Sequence, residues 1–137
     1  MKRFKSSGIG LAIALAMGSS MMLVAPAVQA QQAALDGRVF EGVFLQRGKT
    51  RGDADTISFR SGRLHSSACD QYGYGDGSYV ATPEGDTVRF EAQTESPKYG
   101  KLEWRGVIRA EKLDATVMMV QSGKTPIENW VVAGQKK

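Results

Sequence analysis

Thiol and imidazole are scarce in this 137-residue chain, which has one cysteine, Cys69, and one histidine, His65. A single cysteine excludes an intramolecular disulfide. The two counts together exclude four-cysteine, mixed two-cysteine and two-histidine, and multi-histidine metal sites built from one chain. Long apolar runs are missing too. Ile9 to Val24 is uncharged but diluted by glycine and serine, and falls short of the roughly 20 predominantly apolar residues that span a bilayer comfortably. Phosphate-binding loops are absent: Gly48-Lys49-Thr50 and Gly123-Lys124-Thr125 have Val43 and Met118 where the leading glycine belongs. Asp70 and Asp76 lack calcium-loop spacing, Gly73-x-Gly75-x-Gly77 lacks dinucleotide spacing, and Arg51-Gly52-Asp53 stands as an isolated tripeptide. No carboxylate pair is spaced as an acid and base. Glu91, Glu103 and Glu111 read as charges on an outer face.

What is present begins with a leader. Lys2, Arg3 and Lys5 precede the apolar run, and Ala25-Pro26-Ala27-Val28-Gln29-Ala30 supplies a small-residue cleavage site. The expectation is a signal peptide over residues 1–30, cleaved after Ala30, with a periplasmic or secreted product that has no membrane span. No cysteine for a lipid anchor lies near the cut, and no Arg-Arg pair marks folded export. The chain has 18 basic and 14 acidic residues, and removing the leader leaves 15 against 14. The basic character thus resides largely in the leader. Without a dense basic face, nucleic-acid binding is not expected.

Residues 31–137 then make one domain with a modest core. Thirteen of these 107 residues are glycine, well above the usual share of about 7%. Between the glycines lie short segments rich in Val, Ile, Phe, Thr and Tyr, the pattern of strands joined by tight turns. Eight strands are expected: 38–46, 55–60, 63–69, 78–82, 87–94, 101–109, 112–121 and 127–133. Val88, Phe90 and Ala92 alternate with Arg89, Glu91 and Gln93, and Leu102, Trp104, Gly106 and Ile108 with Glu103, Arg105 and Arg109. Such alternation describes a sheet buried on one side and wet on the other. Charged outer faces argue against an outer-membrane barrel. The segment 107–122, free of Gly and Pro, fits a helical stripe through Leu113, Val117 and Val120, but its β-branched content favours a strand. The fold expected is all-β: an eight-stranded antiparallel up-and-down barrel, with a two-sheet sandwich as the alternative.

Leu35-Asp36-Gly37-Arg38-Val39-Phe40-Glu41-Gly42 resembles the opening strand of small lipocalin-like (calycin-type) barrels. Trp104-Arg105-Gly106-Val107 and Trp130-Val131-Val132-Ala133-Gly134 resemble their closing hairpins. The usual lipocalin Gly-x-Trp opening is absent. The resemblance implies a barrel that holds a small apolar or amphipathic ligand.

On that reading Phe90, Trp104, Val117 and Trp130 line a cavity. Tyr72, Tyr74 and Tyr79, on a loop loosened by Gly73, Gly75 and Gly77, stand at its mouth. A second reading makes the tyrosine loop a docking or inhibitory surface for another envelope protein. A third gives Cys69 thiol or copper chemistry, with His65 and Met118 or Met119 as further ligands. On a regular strand His65 and Cys69 stand about 13 Å apart, at about 3.3 Å per residue, too far for a shared metal or a nucleophile–base pair. The plainer reading takes Cys69 as a small buried hydrophobe and His65 as a polar strand residue. No cofactor and no catalytic residue is called for.

Overall fold

A computed structural model describes residues 34–137. The expected signal peptide and its cut after Ala30 lie outside the described residues. Eight strands follow in order: β1 (Val39–Gln46), β2 (Asp53–Arg60), β3 (Arg63–Ser66), β4 (Gly77–Glu84), β5 (Thr87–Ser96), β6 (Gly100–Arg109), β7 (Lys112–Val120) and β8 (Ile127–Gln135). Each pairs antiparallel with the next, and β8 returns to β1 to close an up-and-down barrel. The sandwich alternative is thereby set aside. The helical alternative over 107–122 gives way to β6 and β7, paired from Lys101↔Val120 to Arg109↔Lys112.

The turns explain the short connections. Ser61 and Gly62 both adopt positive φ, 52° and 72°, the backbone of a type I′ hairpin between β2 and β3. One strand is shorter than its sequence suggests: β3 stops at Ser66, and Ser67–Tyr72 forms a 3₁₀ helix instead of extending the ladder to Cys69. Gly73, at φ 78°, supplies the left-handed residue that ends this helix.

Alternation sorts the side chains as the pattern requires. Phe40, Ile57, Phe59, Leu64, Tyr79, Phe90, Trp104, Ile108, Leu113, Val117 and Val131 point inward and are enclosed. Each such burial stabilises by roughly 1.5–3 kcal/mol before the opposing conformational entropy is counted. Phe59 is the hub, meeting Phe40, Tyr79 and Phe90 edge to face at 6.1, 4.9 and 5.3 Å between ring centres.

Gly106 makes this packing possible. A Cβ there would stand 2.3 Å from the Phe90 ring and 3.0 Å from Ala115 Cβ. Gly106→Val is therefore expected to destabilise the fold by about 1–3 kcal/mol through overpacking. The midpoint of urea unfolding reads this out, and an unshifted midpoint would show that Phe90 can move aside.

One end of the barrel is sealed. Leu35 is fully enclosed, Gly37 N donates to Phe59 O (2.8 Å), and Asp36 Oδ1 accepts from Tyr79 Oη (2.6 Å) and Gly62 N (3.0 Å). Arg38 reaches Gln135 Oε1 through Nε and Nη2, and Lys136 N donates to Val39 O. Both ends of the described chain thus meet at the sealed end. The opposite end, where the β1–β2, β5–β6 and β7–β8 loops and the 3₁₀ helix gather, stays open.

Candidate functional site: the open mouth of the barrel

A cavity of about 260 Å³ occupies the open end. Phe44, Leu102, Met119 and Cys69 supply apolar lining from β1, β6, β7 and the 3₁₀ helix; Tyr72, Tyr74 and Tyr99 add ring walls. Gln46, Asp53, Gln121 and Lys124 bring polar groups. The Phe44 ring stands edge to face with Trp104 at 6.1 Å, so the tryptophan supports the floor without lining the space. Trp104 Nε1 is satisfied by Thr94 Oγ1 at 3.2 Å.

The tyrosine wall is held by a buried carboxylate that the strand pattern did not single out as functional. Asp55, 3% exposed, points inward from β2. It accepts from Ser66 Oγ (2.9 and 2.8 Å to its two oxygens), from Ser67 Oγ (3.4 Å) and from Ala68 N (3.0 Å). A buried carboxylate needs such donors, because desolvation without them costs several kcal/mol. The bond to Ala68 N occupies a backbone donor at the helix start that has no intrahelical partner. Asp55 therefore fixes the 3₁₀ helix, and that helix presents Ala68, Cys69 and Tyr72 to the cavity. Farther along, Ser96 Oγ donates to Tyr72 O (2.7 Å), and Tyr74 Oη donates to Tyr99 O (3.3 Å). Among the described residues every buried side-chain nitrogen or oxygen has a partner.

The residues named from sequence are distributed differently. Tyr72 and Tyr74 line the mouth. Tyr79 does not: it is 1% exposed in the core and tied to Asp36 at the sealed end, and burial first, then that bond, keeps its phenol protonated far into the alkaline range. Phe90, Trp104 and Val117 point inward as expected but fill the barrel below the mouth and do not line the cavity. Trp130 is on the outside, a correction to its expected inward place. In β8 the inward positions belong to Asn129, Val131 and Ala133, so parity turns Trp130 outward between Leu45 and Thr116. Asn129 is buried because its amide donates to Val117 O and its oxygen accepts from Arg47 N.

His65 and Cys69 are not partners. His65 faces the outer surface and pairs with Asp70 Oδ1 at 2.7 Å. Cys69 is buried with its Sγ 3.3 Å from Ser66 Oγ. The regular-strand spacing no longer applies, since the chain turns into the 3₁₀ helix after Ser66, yet the two side chains still have separate partners. Met119 reaches the cavity, while Met118 belongs to the alternate face of β7. Among the described residues no group of three His, Cys, Asp or Glu is placed to hold a metal ion.

Burial pushes the Cys69 thiol up to about 11 from its ordinary 9.0, with Asp55 and Asp70 adding to the rise. The folded state therefore keeps a proton that the unfolded chain releases first. Its stabilising contribution is whole below pH 9 and is lost as the pH climbs towards 11. Between these limits the protein is expected to lose about 2–3 kcal/mol more stability than Cys69→Ala does. Urea melts of both proteins at about pH 8 and about pH 11 measure the difference, and parallel losses would mean that the thiol is not enclosed.

Phe44, Leu102, Tyr99 and Asp55 were not assigned to a site from sequence. Parity with Phe40, Trp104 and Ile57 gives the inward direction of Phe44, Leu102 and Asp55, but no local signal marks the height at which the filled core ends. The fold is thus a closed, eight-stranded antiparallel barrel, sealed at one end and hollow at the other, a form consistent with a lipocalin-like fold. Comparison with protein-family models, with curated proteins and with solved structures finds no match.

Proposed function

We propose that the domain is a lipocalin-like (calycin-type) binding protein, exported and processed after Ala30, that holds a small apolar or amphipathic molecule in the open mouth of its barrel. The observation that carries this reading is the 260 Å³ cavity lined by Phe44, Leu102, Met119 and three tyrosines. Every fully buried side-chain polar atom among the described residues is already bonded, and the polar groups left to meet a guest are those of the lining, among them Gln46, Asp53, Gln121 and Lys124. The volume sits just below the range of about 300–1,000 Å³ typical of drug-sized ligands, which favours a small guest. Docking through a tyrosine patch has less support, because Tyr74 and Tyr79 are buried.

Native mass spectrometry of the protein recovered from the periplasm is expected to show a retained small molecule. Ala68→Trp places an indole at the mouth and is expected to weaken binding of an apolar fluorescent probe about tenfold or more while the fold survives. No retained mass together with no probe binding by the parent protein would refute the reading.

A further inference from the structure

The walls of the mouth carry a chemical bias. Tyr72 and Tyr99 stand with their rings at 90° and 5.6 Å apart; Tyr74 and Phe44 add two more aromatic walls. The remaining apolar lining includes two sulfurs, the thioether of Met119 and the thiol of Cys69. Donors are few. The Tyr74 hydroxyl is engaged by Tyr99 O, and the Ser66 hydroxyl by Asp55. Aromatic faces carry negative charge density, so the space walled by the Phe44, Tyr72, Tyr74 and Tyr99 rings favours a poorly hydrated cation. Tyr99 already receives one cation, the Lys98 ammonium, 5.2 Å from its ring centre. Asp53 and Lys124 oppose each other in sign at the mouth, and neither is in an ion pair among the described residues. Asp53 offsets Lys124 in sign but not Lys98 as well, so selection of a cation rests on the rings.

We infer that the mouth binds an alkylated ammonium group, enclosed by Phe44, Tyr72, Tyr74 and Tyr99. This rests on the cavity being a ligand site and names the chemistry it selects. A trialkylammonium head is compact enough for the volume. It loses little hydration on entry, and it needs no hydrogen-bond acceptor, which suits walls that offer rings and sulfur. A primary ammonium retains its water more strongly and gains less.

The test compares choline with 3,3-dimethylbutan-1-ol, its uncharged carbon isostere, by calorimetric titration of the processed protein. Choline is expected to bind about 10–30-fold more tightly, the scale of a desolvated cation–π contact. In Tyr72→Leu and Tyr99→Leu, which keep apolar bulk without a ring, choline is expected to lose that advantage and the isostere to keep its affinity. Equal binding of the two compounds by the parent protein would overturn the ammonium assignment and leave an apolar-ligand site standing. Failure of both compounds and of the apolar probe would overturn both. Vesicles distinguish the source. Co-sedimentation with phosphatidylcholine but not phosphatidylglycerol would indicate a lipid head group, whereas choline binding without co-sedimentation would indicate a free solute. Stronger co-sedimentation with phosphatidylglycerol would count against the assignment.

Discussion

Phe59→Ala is expected to cost about 3–5 kcal/mol, among the larger losses from a single truncation in this barrel. The ring has no exposed face and meets three other aromatic rings edge to face. Such contacts add about 0.5–1.5 kcal/mol each beyond the area they bury. Phe40, Tyr79 and Phe90 come from three strands and cannot all move into the void, because β1, β4 and β5 are pinned by ladders on both sides. Removing the ring therefore leaves a cavity more than it invites collapse. With urea slopes of about 1–3 kcal/mol per molar for small domains, the unfolding midpoint should drop by more than about 1 M. Phe59→Leu should recover most of the loss. A midpoint within experimental error of the parent would show that the aromatic hub is not the mechanical centre of the core.

The second large effect is expected at Asp55. Asp55→Ala leaves the Ala68 amide without its acceptor and the Ser66 hydroxyl with only the weaker Cys69 sulfur, in a place that water does not freely reach. Hydrogen bonds to a charged group are worth about 1.5–3 kcal/mol each, and stranding their donors adds desolvation cost, so a loss of about 3 kcal/mol is expected. Its distribution matters more than its size. Amide exchange over residues 67–74 should accelerate well beyond what global unfolding explains, while β6 and β7 follow the global stability alone. Probe binding at the mouth should fall in parallel. Asp55→Asn, which preserves shape and one acceptor oxygen, should restore part of each. Unchanged exchange in that segment of Asp55→Ala would remove the carboxylate from its role as fastener of the tyrosine wall.

The barrel is largely legible in the chain because one residue decides a side. Val88, Phe90 and Ala92 against Arg89 and Glu91 leave little freedom once a strand is granted, and Ser61-Gly62 or Pro83-Glu84-Gly85-Asp86 mark where strands reverse. Parity also carries Asp55, which alternates in step with Ile57 and Phe59. Its inward place is hard to foresee because a lone carboxylate rarely takes one. The reason for it is tertiary: the donors that satisfy the carboxylate arrive 11 to 13 residues later, across the hairpin. The same long-range bonds decide against extending β3 through Cys69, a choice that the local segment Ser66-Ser67-Ala68-Cys69 leaves open. Trp130 shows the opposite error. Its size argues for the interior, but its neighbours Asn129 and Val131 hold the inward positions, and the asparagine is kept there by bonds to Val117 and Arg47. The height of the cavity is illegible for a simpler reason. Aromatic rings from separate strands fill the lower barrel together, and no single strand records where they stop.

The sealed end carries an architectural consequence. Arg38 and Gln135 are bonded there, at the pole remote from Tyr72 and Tyr99. A linker, a bead or a fused domain attached ahead of Leu35 or behind Lys137 would anchor the molecule by its base, like a cup held from below. The opening would then face away from the support, so immobilised protein should retain the loading capacity of the free form.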